Sequence, residues 1–308
     1  MPVYEFLCSA CNRIYSFHSF RVETTKVPKC PKCGASKTKF TKLEDKAAKS
    51  EVIETAGGLK LGVIEVPAFY RDFAAQAAGD QDFRSTTRDV RALLDGLRAE
   101  RVDGVIIDLR RNGGGSLSEA TELTGLFIEK GPVVQVRDAS GKIEVERDPD
   151  PEQVYEGPLA VLVDRNSASA SEIFAGAIQD YSRGLIIGEP TFGKGTVQTV
   201  LPLRNGSGIK LTTALYYTPS GRSIQAEGIT PDIELEPLEL SAKEKDGIDP
   251  LKEADLSRHL DNGNGKDGKD TEKDGDAPDN GGLAQSDYEL YEALNMLKGL
   301  AILQERMQ

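Results

Sequence analysis

Four short apolar runs, separated by segments of helical periodicity, limit what this chain can fold into. Residues 60–69 (KLGVIEVPAF), 104–109 (GVIIDL), 159–163 (LAVLV) and 185–187 (LII) are rich in β-branched residues and have no polar face. Runs of this kind suit strands buried on both sides. Between them, residues 87–100 place Val90, Leu93, Leu94 and Leu97 on one helical face, and residues 116–128 do the same with Leu117, Ala120, Leu123, Thr124 and Phe127. Ile173, Phe174, Ala177, Ile178 and Tyr181 form a third helical stripe. Strand and helix alternating in this way predict an α/β domain with a mostly parallel sheet and flanking helices, spanning about residues 48–238. The strand-rich stretch 196–217 adds a β extension to it.

The two ends differ in character from this middle. All four cysteines fall in the first 33 residues, as Cys8-x2-Cys11 and Cys30-x2-Cys33 with 18 residues between the pairs. Two such knuckles offer four thiolates to one tetrahedral metal, and predict a small structural zinc ribbon over residues 1–45. Two disulfides or a rubredoxin-like iron site are the alternatives. Residues 239–308 are expected to hold an acidic disordered linker, since 261–280 (DNGNGKDGKDTEKDGDAPDN) has almost nothing to bury. An amphipathic helix over 286–307 follows, with Leu290, Leu294, Leu297, Leu300 and Ala301 at helical spacing. It is expected to pack on the core, on another subunit in self-association, or on an adaptor.

Composition removes several function classes. The net charge of −12 argues against nucleic acid as a partner. No apolar run approaches the length of a membrane span, and the N-terminus has neither the basic nor the apolar region of a secretory signal. As written, the sequence predicts a cytoplasmic protein.

The candidate chemistry lies in the turn 166–172 (NSASASE), which joins the run 159–163 to the third helical stripe. A serine here sits beside the free amides of a helix N-terminus, which favour developing negative charge. Helix capping explains such a turn equally well. The chain has only two histidines, His18 and His259, both remote from this turn, so a nucleophilic serine would need another base. Lys194, 25 residues after Ser169, lies between Gly193 and Gly195 and between two apolar runs. Burial disfavours the ammonium form of a lysine and so equips it as a base. If the chain is extended from 194 onward, Gln198 shares a face with Lys194 and can orient its amine. A third piece, Asn112-Gly113-Gly114-Gly115, follows a strand and precedes a helix, where backbone N–H groups can converge on an anion. Residues 188–194 (GEPTFGK) also fit the start of a phosphate-binding loop. That reading fails because Gly195 stands where Ser or Thr is required, and because a strand, not a helix, is expected next.

These segments together resemble the C-terminal processing (tail-specific) serine proteases. The resemblance is carried by 108–115 (DLRRNGGG), 167–172, 188–198, 210–214 (KLTTA), 218–225 (TPSGRSIQ) and 228–233 (GITPDI). It implies a serine endopeptidase that cleaves proteins near their C-terminal tails, with Ser169 as nucleophile, Lys194 as general base and Gln198 orienting it. It further implies that the backbone N–H groups of Gly115 and Ala170 form the oxyanion hole, with Glu172, Asp180 and Thr191 in support. No cofactor for catalysis is implied. Members carry a signal peptide and a PDZ domain, and the interval between Cys33 and Ser50 is too short for the latter, so neither is expected here. The resembled family works in the periplasm or cell envelope, the alternative to the compartment read above. A catalytically impaired binding or regulatory protein is the alternative function. The first segment, opening MPVYEF and carrying both knuckles, resembles the FmdB-like zinc ribbons, which implies Zn2+ on Cys8, Cys11, Cys30 and Cys33.

Overall fold

The structure, a computed structural model, describes residues 3–8, 13–18, 33, 38–41, 47–55, 58–150, 152–202, 208–236 and 280–307. Three sheets organise them. Strands β1 (Val3–Cys8), β2 (Arg13–His18) and β3 (Thr38–Thr41) form an antiparallel sheet in the order β2-β1-β3.

The six-stranded sheet is built from the predicted apolar runs. It comprises β4 (Lys49–Glu54), β5 (Lys60–Glu65), β6 (Gly104–Asp108), β9 (Leu159–Val163), β10 (Leu185–Gly188) and β13 (Ile233–Glu234). Their spatial order is β13-β10-β9-β6-β5-β4, and only the edge strand β4 runs antiparallel. The strands follow one another across the sheet without reversal. Right-handed crossovers therefore place the connecting helices on a single face. These helices are α2 (Thr86–Ala99), α3 (Leu117–Gly125) and α4 (Ala170–Asp180), with the short α1 (Phe73–Ala77) preceding them.

Strand periodicity explains why the runs have no polar face. Ile64, Val105, Ile107, Val161, Val163 and Ile186 join the core beneath α2, α3 and α4. Their neighbours Leu61, Val63, Ile106, Ala160, Leu162 and Ile187 point the other way, into a second core. That second core is completed by Leu290, Ala293, Leu294 and Leu297 of α6 (Tyr288–Met307). Of the surfaces open to the C-terminal helix, it takes its own sheet, and its apolar stripe is buried there. The helical region also starts earlier than expected, with α5 (Asn280–Ser286). The linker expected over 261–280 lies outside the described residues except at Asn280, which opens α5 rather than ending a linker.

The β extension is larger than predicted. Strands β11 (Thr196–Pro202) and β12 (Gly208–Tyr217) continue through β7 (Pro132–Asp138) to β8 (Ile143–Arg147), giving an antiparallel sheet in the order β11-β12-β7-β8. Among the described residues, no helix is long and apolar enough to cross a membrane.

Candidate active site

Three segments meet at the C-terminal ends of β6, β9 and β10. The first is the turn from β9 into α4. Asp164 organises it: its Oδ1 accepts from the N–H groups of Arg111 (3.0 Å), Asn166 (2.9 Å) and Ser167 (3.0 Å). Burial alone would raise this carboxyl, but the donors from Arg111, Asn166 and Ser167 outweigh it and hold Asp164 below the usual carboxylate range.

The turn offers three serines, and their hydroxyls are used differently. Ser167 is fully buried and its Oγ donates to Leu109 O (2.8 Å). Ser171 is also fully buried, with its Oγ donating to Asn112 O (2.8 Å). Ser169 caps α4 with φ 58° and ψ −109°, a conformation that side-chain-bearing residues avoid. Its hydroxyl donates to no described residue. Such a strained backbone costs about 1–3 kcal/mol and persists only where its surroundings over-determine it.

The second segment is the glycine loop after β6. Asn112, wholly buried, is its anchor: Nδ2 donates to Val66 O (2.7 Å) and Oδ1 accepts from Gly114 N (2.9 Å). The Asn112 carbonyl accepts from Ala168 N (3.0 Å) as well as from Ser171. Loop and serine turn are thereby locked together. Gly114, at φ 97°, lies so close that a Cβ there would be 2.9 Å from Ser169 Cβ and 3.0 Å from Ala170 N. A Cβ on Gly115 would run into Phe69 O. The bridge between Phe69 and Gly115 uses Gly114 O and Ser116 N, which leaves the Gly115 N–H outside it. Ala170, first residue of α4, has no intrahelical acceptor for its own N–H.

The third segment, residues 191–195, is tied to the serine turn by one carboxylate. Glu172 is fully buried. Its Oε2 accepts from Ser169 N (2.7 Å) and Lys194 N (2.9 Å). Its Oε1 accepts from Thr191 Oγ1 (2.7 Å) and Gly193 N (2.6 Å). Thr191 Oγ1 in turn accepts from Ile229 N (2.7 Å), and Gly195 N donates to Gln225 Oε1 (3.0 Å). The backbone around Lys194 is thus fixed at every position from 193 to 195. Its side chain is half-buried rather than enclosed, and Nζ makes no hydrogen bond or ion pair with a described residue. Phe192, beside it, is 67% exposed.

The structure thus gathers Ser169, Ala170, Gly115, Glu172, Thr191 and the Lys194 backbone. Gln198 lies on β11, exposed, without a hydrogen bond to Lys194. The strand begins at Thr196, so Lys194 belongs to the preceding loop and does not share the strand's alternation. That same strand rules out a phosphate-binding loop, which must open a helix. Asp180 ends α4, about 15 Å along the helix axis from Ala170. There its carboxylate accepts from Ser220 N (2.8 Å) and pairs with Arg222 (3.1 Å). From sequence, Asn112 stood out only as the first residue of the glycine loop and Gln225 only as the end of the stretch 218–225, while Asp164 drew no role. An asparagine just ahead of a run of glycines is the one signal that marks a loop needing an internal anchor.

Residues 60–235, more than half of the chain, match peptidase family S41. The chain belongs to that family. The S41 segment contains every residue of the three segments just described and excludes the four cysteines. The chain is 44% identical over 211 residues to a tail-specific protease of Haemophilus influenzae, covering 66% of this chain and 28% of that one. It is 42% identical over 180 residues to a carboxy-terminal-processing protease of Bartonella bacilliformis, covering 58% and 41%. Among solved structures, a photosystem II D1 C-terminal processing protease superposes with a TM-score of 0.52 at 32% identity, over 63% of this chain and 49% of that chain. The S41 chain described here therefore spans less than half the length of each of these relatives.

In the N-terminal sheet, the backbone register places Cys8 opposite both Arg13 and Thr38. Cys33 is exposed, while Cys11 and Cys30 lie outside the described residues.

Proposed function

We propose that this chain is a serine endopeptidase in which Ser169 and Lys194 carry the chemistry, acting on proteins near their C-terminal tails. One observation carries the reading. Of three serines in the turn, only Ser169 keeps its proton uncommitted, and the carboxylate that holds its backbone also holds the backbone of Lys194. In the proposed reaction Ser169 Oγ attacks the scissile carbonyl carbon and Lys194 Nζ takes the hydroxyl proton. The N–H groups of Gly115 and Ala170 hold the oxyanion. Collapse breaks the C–N bond, Lys194 returns the proton to the leaving amine, and water then hydrolyses the acyl-enzyme with Lys194 again as base. Gln198 orients the amine once the side chain of Lys194 turns toward the site, since catalytic hydrogen bonds often tighten only with substrate bound. Glu172, Thr191 and Asp180 support this framework. Protein tails as substrates are inferred from the names of the relatives.

The open geometry of Lys194 and Gln198 also favours a second reading, a binding or regulatory protein on the same fold. Labelling separates the two. A fluorophosphonate is expected to modify Ser169 alone, located by mass spectrometry of the peptide spanning 167–172, and an unfolded protein with an apolar C-terminus should be cleaved. A folded sample that neither labels nor cleaves would overturn the enzymatic reading.

For the N-terminal segment the proposed cofactor is one structural Zn2+ held by Cys8, Cys11, Cys30 and Cys33. Four thiolates in two knuckles satisfy a closed tetrahedral site, and the backbone register sets Cys8 opposite Arg13 and Thr38, the first residues of β2 and β3. Such a site has no open position for catalysis. Purified protein should contain one zinc per chain, lost on combined Cys30→Ser and Cys33→Ser substitution. Iron, or no metal in the wild type, would refute it.

A further inference from the structure

The glycine loop is gripped from a second side, and nothing in the proposed reaction uses that grip. Arg110 stands two residues before Asn112. Its side chain is 16% exposed and its guanidinium faces three carboxylates. It pairs with Asp108, the last residue of β6, through Nη2 at 2.7 Å and Nε at 3.0 Å. Nη1 and Nη2 reach both oxygens of Asp287 at 2.7 and 2.8 Å, and Nη1 also reaches Glu289 at 2.9 Å. Asp287 and Glu289 stand at the start of α6, where Asp287 Oδ1 also accepts from Leu290 N (3.0 Å). Burial would raise the Asp287 carboxyl, yet the bond from Arg110 holds it below its ordinary value. The C-terminal helix therefore does two separable things. Its apolar stripe covers the sheet, and its acidic N-terminus fixes the residue from which the glycine loop departs.

We propose that Asp287 and Glu289 act through Arg110 as positioning residues for the glycine loop, so that docking of the C-terminal helix sets the Gly115 N–H against Ser169. The inference rests on the Ser169 reading for its catalytic consequence, and on the hydrogen bonds alone for the coupling. The geometry has a direction. The loop from Leu109 to Gly115 has anchors at Asn112, facing the serine turn, and at Arg110, facing α6. Releasing the second leaves the Arg110 side chain held by Asp108 alone, and the upstream half of the loop tied only through its backbone, by Arg111 N to Asp164 and Leu109 O to Ser167 Oγ.

The test uses the full chain with Asp287→Asn combined with Glu289→Gln. Asparagine keeps the capping bond to Leu290 and glutamine keeps the size of Glu289, so the change is mainly one of charge. Leu297→Ala serves as the comparison, because it weakens the same helix in the apolar stripe without touching Arg110. Three readouts are taken: hydrogen exchange of the peptide spanning 109–116, kcat and KM on a peptide ester, and affinity for a peptide aldehyde whose adduct places an oxyanion in the site. The charge variant is expected to speed exchange in 109–116 at least tenfold. It should also lower kcat and aldehyde affinity in parallel by about 10–100-fold, with KM changed less than twofold. Leu297→Ala should lower the melting temperature but leave exchange in 109–116 and kcat near wild type. Unchanged exchange in the charge variant, or equal effects in both variants, overturns the coupling. Exchange that responds as expected in a wild type that neither cleaves nor binds aldehyde leaves the coupling standing and overturns the Ser169 reading.

Discussion

Ser169→Ala, Lys194→Ala and the double variant are expected to lose turnover to the same extent, on the order of 10^4–10^6-fold in kcat. The losses should not add, because nucleophile and base act as a unit: without the base the hydroxyl keeps its proton, and without the hydroxyl the base has nothing to accept. Any residual rate would come from the Gly115 and Ala170 N–H groups and from binding. The neighbouring serines provide the comparison. Ser171→Ala removes one buried hydrogen bond to Asn112 O and should cost about 1 kcal/mol of stability. It should leave most of the activity in place. Stability separates the roles further. Ser169 holds φ 58°, where alanine is as strained as serine and glycine is not. Ser169→Gly is therefore expected to be more stable than Ser169→Ala by about 1 kcal/mol in urea unfolding, with both inactive. Turnover by Ser169→Ala within tenfold of wild type would remove this serine from the mechanism. Equal stability of the glycine and alanine variants would show that the turn is unstrained.

The sheet was legible because its strands are buried on both faces, so that runs such as 104–109 and 159–163 carry no polar interruption. The strands β7 and β8 were not, for the opposite reason. β8 reads Ile-Glu-Val-Glu-Arg, and its Ile143 and Val145 remain 45% and 42% exposed. Its pattern does not reveal a strand until β7 lies beside it. The helix over 288–307 announced an apolar stripe, but a stripe states only that something covers it. That the cover is the second face of the same sheet depends on the lack of reversal in strand order, a long-range property. The serine turn, the glycine loop and the lysine loop were each visible, and so was the conflict between capping and catalysis at 167–171. What distinguishes the three serines is that the hydroxyls of Ser167 and Ser171 are engaged, and Leu109 and Asn112 lie almost 60 residues upstream of the serines they engage. The expected burial of Lys194 rested on apolar neighbours in sequence. Those neighbours turn into two different sheets, and the loop between them is held through its backbone, leaving the side chain half-buried.

Glu172→Gln is expected to be nearly as damaging as Glu172→Ala, although it changes one atom. The reason lies in the donors. The buried carboxylate accepts four hydrogen bonds, two on each oxygen, from Ser169 N, Lys194 N, Thr191 Oγ1 and Gly193 N. An amide has one oxygen and one NH2, and the NH2 can accept nothing. Turned toward the Ser169 side, it meets two backbone N–H groups with no hydrogen atom able to rotate away. Turned the other way, it meets Gly193 N and a threonine hydroxyl already engaged by Ile229 N. Either orientation leaves at least one buried donor opposed by another, at about 1–3 kcal/mol for each group left unsatisfied. The expected loss is about 2–4 kcal/mol for glutamine and about 3–5 kcal/mol for alanine, which frees all four donors. The functional loss should exceed what stability explains. Ser169 is held in a strained conformation by a bond from its own N–H to this carboxylate, and the Lys194 backbone hangs from the same oxygen. Below the unfolding transition, Glu172→Gln should therefore retain folded far-ultraviolet circular dichroism while losing at least 10^2-fold in fluorophosphonate labelling at Ser169. Thr191→Val tests the same hub from the other side, since it removes one donor from Glu172 but orphans the buried Ile229 N. It should be destabilised by about 1–3 kcal/mol with a smaller loss of labelling, because both Oε2 bonds survive. Labelling of Glu172→Gln at the wild-type rate would show that the carboxylate stabilises the fold without holding serine and lysine in register.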